Sequence, residues 1–142
     1  MNCLFCDLLT TRESAADILY EDDDVLVLLH EAWATLGHTV VVAKRHVENS
    51  SDLPADEWAR VARVFQRAEA AVLATTGADR AILMKLGLMV PHLHLHIYPV
   101  SRTMTREQVF AIIDGKTRHK ATAEEKAAFV ATLQERILAE LA

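Results

Sequence analysis

The chain has 142 residues, 51% of them apolar and 25% charged, and a formal net charge of −5. That length suits one domain, residues 1–142, with room for a proper core. The acidic balance argues against a partner in nucleic acid or an anionic membrane, and no apolar run approaches the roughly 20 residues of a membrane span. The N-terminus has no basic segment followed by an apolar one, so a signal peptide is not expected and a cytoplasmic location is.

Cys3 and Cys6 are the only cysteines, spaced C-x-x-C. In a reducing compartment that spacing favours metal binding or redox chemistry over a structural disulfide. Two thiolates are half of a tetrahedral zinc site, and histidine is the usual complement. The bland alternative is two buried cysteines acting as small apolar residues.

From Ile18 to Ala43 the pattern is β. Ile18-Leu19-Tyr20 is a short apolar strand, and residues 21–24 (Glu-Asp-Asp-Asp) read as a turn. Val25 to Leu29 is a buried strand ending at His30 and Glu31. Residues 32–37 form a loop holding Trp33. His38 opens a β-branched strand through Ala43, and Lys44-Arg45-His46 closes it. Asp52, Pro54, Asp56 and Glu57 read as a helix start. Trp58, Val61, Phe65, Val72 and Leu73 then recur at helical spacing, and Gly77 is a natural stop. Residues 80–86 form the next strand, and residues 87–91 turn the chain. Beyond Val100 two capping boxes, Thr105 with Gln108 and Thr122 with Glu125, each open a helix. The second helix carries Phe129, Val130, Leu133, Ile137, Leu138 and Leu141 on its apolar side. Between them lies a basic patch, Thr117-Arg118-His119-Lys120: an ordinary solvated loop, or one that faces a phosphate.

The chemistry concentrates in His92-Leu93-His94-Leu95-His96-Ile97-Tyr98-Pro99. Side chains alternate between the faces of a strand. As a strand, this stretch puts His92, His94 and His96 on one face and Leu93, Leu95 and Ile97 on the other. A face of three imidazoles gathers groups that donate, accept, attack or bind metal near neutral pH. A solvated face would normally mix Thr, Lys and Glu instead.

This stretch resembles the histidine-triad signature, His-φ-His-φ-His-φ-φ with φ apolar. Cys3-Leu4-Phe5-Cys6 is similar to that family's N-terminal zinc motif. Residues 20–26 resemble its first hairpin, and residues 37–46 its central strand. The resemblance implies an α+β fold: an antiparallel sheet of about five strands, one long helix and C-terminal helices, usually as a homodimer paired on the long helix. It implies hydrolysis at the α-phosphate of a nucleotide, dinucleoside polyphosphates or related compounds, through a nucleotidyl-histidine intermediate. Nucleoside phosphoramidate hydrolysis, or nucleotide binding with weak catalysis, are the alternatives. By motif position His94 is the nucleophile, His96 and His38 flank the phosphate, and His92 supports the set or binds zinc. Leu28, His30, Val40, Leu88 and Met89 then line the substrate pocket. Zinc-containing members hold a structural zinc at positions matching Cys3, Cys6, His46 and His92; no organic cofactor is implied. Even-numbered residues of a regular strand share a face, so His38 and His46 would both point towards His92.

The chain departs from the family pattern in three places. Leu88 and Met89 stand where members carry polar groups that contact phosphate and leaving group. His30 stands where an Asp or Asn usually holds the ribose. Trp33 and Leu36 replace the usual loop prolines. The catalytic set is intact; nucleotide recognition is altered.

Overall fold

Val25–Leu29 and Thr39–Ala43 are apolar almost without interruption. Strands of that kind are comfortable only where both faces are covered. In the computed structural model, which describes residues 2–13, 16–31 and 33–142, both are buried at every residue. They are β2 and β3 of a five-stranded sheet, and its neighbours are β1 (Asp17–Glu21), β4 (Arg80–Met84) and β5 (His94–Val100). The order is β1-β2-β3-β5-β4, and every neighbouring pair is antiparallel. The fold is α+β, as the resemblance implies.

One face of the sheet carries Val25, Val27, Leu29, Val41, Leu95 and Ile97. Two helices cover it, α2 (Ala55–Thr76) and α4 (Ala123–Leu141). The buried stripe of α2 is Val61, Val64, Ala68, Ala71 and Val72, while Trp58 and Phe65 are only partly buried against the core. Alanines at 68 and 71 let the helix lie close to the strands. On α4, Leu133 and Ile137 are buried; Leu138 is 58% exposed and points away. The opposite sheet face carries Leu26, Leu28, Val40 and Val42, with Leu8 packed on it.

Local signals set most boundaries. Asp22 Oδ1 accepts from the backbone N–H of Asp24 and Val25, which builds the β1–β2 turn. Thr105 and Thr122 both close full capping boxes, at the starts of α3 (Arg106–Ile113) and α4. Gly77 ends α2 in the left-handed region, its N–H bonded to the Leu73 carbonyl. Asp52 serves elsewhere than at the start of α2. It caps a short 3-10 turn, Ser50–Asp52, by accepting from Asn49 N.

Three readings from sequence need revision. Leu4–Thr11 forms a helix, α1, that the sequence reading passed over. The triple-histidine strand begins at His94, with His92 just before it. The strand read as 80–86 stops at Met84. Ala32, the first residue of the loop read as 32–37, lies outside the described residues, as does Met1. Trp33 is buried with φ +34, wedged against Phe129 and His119. Gly37 is required there: its φ is +83, and a Cβ would come within 2.7 Å of Thr76 Cγ2. Among the described residues no helix is long and apolar enough to cross a membrane.

Candidate active site

The β3–β5 register pairs Val40 with His96 and Val42 with His94. His94 and His96 therefore share the face of Leu28 and Val40, away from the α2–α4 core. Beside them lies a cavity of about 510 Å³. His94, His96, His30, Leu28 and Val40 line it, with Leu88 and Met89 at its rim, 85% and 92% exposed. His38 sits behind the cavity wall and His92 beside it, both buried. Residues the sequence reading missed come from α1: Leu4, Phe5 and Leu8 form one wall. Phe5 also lies against the rings of His92 and His94, centroids 5.6 and 4.8 Å apart. The apolar i, i+4 pair of Leu4 and Leu8 was the available signal for that helix. Tyr98 was passed over as well; its ring stacks on His38 at 4.1 Å and on His96 at 5.5 Å.

Hydrogen bonds set the tautomers. His94 Nδ1 is 2.6 Å from the His92 carbonyl oxygen. A carbonyl only accepts, so Nδ1 carries the proton and Nε2 keeps its lone pair. His38 Nε2 lies 3.0 Å from His96 Nδ1, so one of the two donates. His38 Nδ1 is buried with no partner among the described residues. An orphaned buried N–H is costlier than an orphaned lone pair. The favoured arrangement therefore has His38 Nε2–H donating to His96 Nδ1, which leaves His96 with its proton on Nε2. Burial, which disfavours the charged imidazole, pushes His96 down to about 4 and His38 down to about 2. Burial also lowers His30 and His94. At neutral pH these rings are uncharged.

Next to this set stands a second cluster. Cys3 Sγ, Cys6 Sγ, His46 Nδ1 and His92 Nδ1 all lie within 4.8 Å of one another. His92 Nδ1 is 3.4 Å from Cys3 Sγ, 3.6 Å from Cys6 Sγ and 3.1 Å from His46 Nδ1. Cys6 Sγ is 3.2 Å from His46 Nδ1. Zinc–ligand lengths of about 2.3 Å to sulfur and 2.05 Å to nitrogen give tetrahedral edges of about 3.3–3.8 Å. Those four separations match the edges of a zinc tetrahedron to within about 0.4 Å, and all four donors lie within 4.8 Å of one another. His92 Nε2 donates to the Ala43 carbonyl at 2.6 Å, which turns the Nδ1 lone pair into the cluster. Burial and the neighbouring Cys3 push the Cys6 thiol up, so its thiolate needs a cation. His46 does not arrive by strand parity. β3 ends at Ala43, and a bend through Lys44 and Arg45 swings the ring round.

The model of the HIT domain matches residues 11–103. A HIT-like protein of Mycobacterium tuberculosis is 36% identical over 104 residues, 70% of this chain and 72% of that relative. The chain belongs to the HIT family. An adenosine 5'-monophosphoramidase of Xenopus tropicalis is 28% identical to this HIT protein over 103 residues, 68% of this chain and 67% of the relative. The solved structure of a zinc-bound histidine triad family protein from Mycobacterium smegmatis superposes with a TM-score of 0.73. It is 26% identical and covers 98% of each chain.

Proposed function

We propose that this HIT protein hydrolyses nucleotides at the α-phosphate through a nucleotidyl-histidine intermediate. The observation that carries the reading is His94, its Nδ1–H held by the His92 carbonyl and its ring on the cavity floor. Nε2 attacks phosphorus while the bond to the leaving group breaks; the leaving group takes its proton from solvent water, and neutral His96 keeps its Nε2–H as a hydrogen-bond donor to a phosphate oxygen. The imidazole that has formed its bond to phosphorus carries positive charge, and the His92 carbonyl opposite Nδ1–H stabilises it. Water then attacks phosphorus, cleaving the N–P bond and releasing the nucleoside monophosphate and neutral His94, and its proton passes to solvent. His38, donating to His96 Nδ1, holds that ring in the tautomer the step needs.

A specific observation favours a phosphoramidate over a dinucleoside polyphosphate as substrate. Leu88 and Met89 offer no hydrogen bond, and the cavity is lined by two carboxylates, Glu13 and Glu31. Among the described residues no Lys or Arg lines it. An uncharged amine leaves into such surroundings more easily than a polyphosphate. The Xenopus relative's activity agrees with this. The test is intact-mass measurement after an alkaline quench during turnover of an adenosine phosphoramidate. A nucleotidyl adduct is expected on the wild type; turnover with no adduct in any quench overturns the mechanism.

We also infer that Cys3, Cys6, His46 and His92 hold one structural zinc. Four protein donors leave no open position, so its contribution is a cross-link between α1 and the start of β5. Protein purified without chelator should contain one zinc per chain, and Cys3→Ser should lower both zinc content and melting temperature. Metal-free protein of undiminished stability would overturn this. We infer a homodimer too, on altered grounds. α4 already covers α2 within the chain. β4 is one of the two edge strands of the sheet, and Leu83 on it is 43% exposed. A sedimentation mass of one chain at micromolar concentration would count against it.

A further inference from the structure

The hydrolase reading leaves an electrostatic gap. A nucleotide phosphate is an anion, yet His38 and His96 are uncharged at neutral pH. The charged side chains that line the cavity, Glu13 and Glu31, are both acidic. Lys85, the cation whose field reaches His94, is held by Asn49 Oδ1 at 2.9 Å. A phosphate entering this cavity needs positive charge from beyond the lining residues.

The connection between α3 and α4 supplies one. Thr117 Oγ1 donates to the Ala34 carbonyl at 3.1 Å. The His119 N–H donates to the Trp33 carbonyl at 2.8 Å, and its ring stacks on Trp33 at 5.5 Å. Trp33 and Ala34 belong to the loop that runs from His30 to His38, whose ends are joined by His30 N–H donating to the His38 carbonyl. Arg118 is therefore pinned on both sides to the loop that carries two of the site histidines. Its guanidinium lies back towards Gly115, where a Cβ would stand 3.6 Å from Nη1. Among the described residues it has no carboxylate partner, in contrast to Arg12, Arg45, Arg60 and Arg67. Its charge is felt by the site: it disfavours protonation of both His30 and His38, whose rings stack at 4.3 Å.

We propose that Arg118 is a phosphate-binding residue of this site, pinned by Thr117 and His119 beside His30 and His38 so that its guanidinium meets the nucleotide's phosphate oxygens. The proposal rests on the nucleotide reading above. Guanidinium suits the task because it stays charged at every working pH and donates two parallel bonds to one oxyanion. The neutral histidines perform the chemistry; Arg118 supplies the charge complement. With no partner to lose, its removal leaves the fold unchanged.

Titration calorimetry with adenosine monophosphate and with adenosine separates the possibilities, using wild type, Arg118→Ala and Arg118→Lys. Arg118→Ala should weaken binding of the monophosphate by about tenfold, the scale of a lost charge-assisted hydrogen bond. Adenosine, which has no phosphate, should bind both proteins alike. Arg118→Lys should recover part of the loss, and the difference should shrink in 1 M salt. Unchanged monophosphate affinity in Arg118→Ala overturns the role of Arg118 and leaves the nucleotide reading standing. An equal loss for adenosine makes Arg118 structural and overturns the proposal also. A wild type that binds neither compound overturns the nucleotide reading and this inference with it.

Discussion

His94→Asn abolishes turnover, lowering the rate at least about 10³-fold, because no other group can form the nucleotidyl intermediate. Asparagine is the better replacement. On a solvent-facing strand His94→Ala would cost little packing. In the fold His94 is only 8% exposed and its ring lies against Phe5. Alanine would therefore mix lost chemistry with lost packing. Asn keeps a side-chain N–H for the His92 carbonyl while removing the nucleophile. The check is single-turnover hydrolysis of an adenosine phosphoramidate beside a thermal melt. Undiminished hydrolysis by a folded His94→Asn protein would sink the mechanism.

Acidification from pH 7.5 to 4.5 strips a large part of the stability. His38 and His96 are held neutral in the fold, at about 2 and about 4, while the unfolded chain protonates near the ordinary histidine value of about 6.5. Below that value the unfolded state binds protons that the folded state refuses, so stability falls with falling pH. The contribution is complete above pH 6.5. It is lost down to about 4 for His96 and about 2 for His38. Each ring withdraws about 1.4 kcal/mol per pH unit, so the two together withdraw about 5 kcal/mol at pH 4.5. That is comparable with the whole stability of an ordinary domain, about 5–15 kcal/mol. The carboxylates of Glu21 and Asp24, held low by hydrogen bonds from Arg12 and Arg60, act in the same direction only at still lower pH. Denaturant melts across this range give the proton count from the slope. His38→Asn should reduce that slope by about one proton. A stability independent of pH between 7.5 and 5 would contradict the burial of neutral imidazoles.

The elements that were legible are those whose signals are local. Thr105 with Gln108 and Thr122 with Glu125 satisfy backbone N–H groups three residues apart, so the sequence alone places α3 and α4. Asp22 similarly closes its own turn. α1 escaped notice because it has eight residues, and Leu8 alone is buried among them. A helix that short is marginal without the sheet it packs on, so little in its own sequence announces it. Leu138 was misplaced because helical spacing gives the apolar side of α4 but not how wide a stripe its neighbours cover.

By itself the sequence determined the chemistry of the site. Alternation along 92–97 is a property of the extended backbone, so His94 and His96 share a face wherever that strand goes. C-x-x-C likewise guaranteed two sulfur donors close together. Tertiary structure alone decided which donors meet. His46 reaches His92 Nδ1 at 3.1 Å through the bend after Ala43, because the strand whose parity would have carried it there has already ended. His92 lies before β5, which lets its ring join the cysteines while its carbonyl accepts from His94 Nδ1–H. Leu4, Phe5 and Leu8 become a cavity wall because Leu8 packs on the second face of the sheet. Such encounters join residues up to 89 positions apart. Their geometry depends on packing free energies summed over the whole sheet, and no local window of sequence contains that sum.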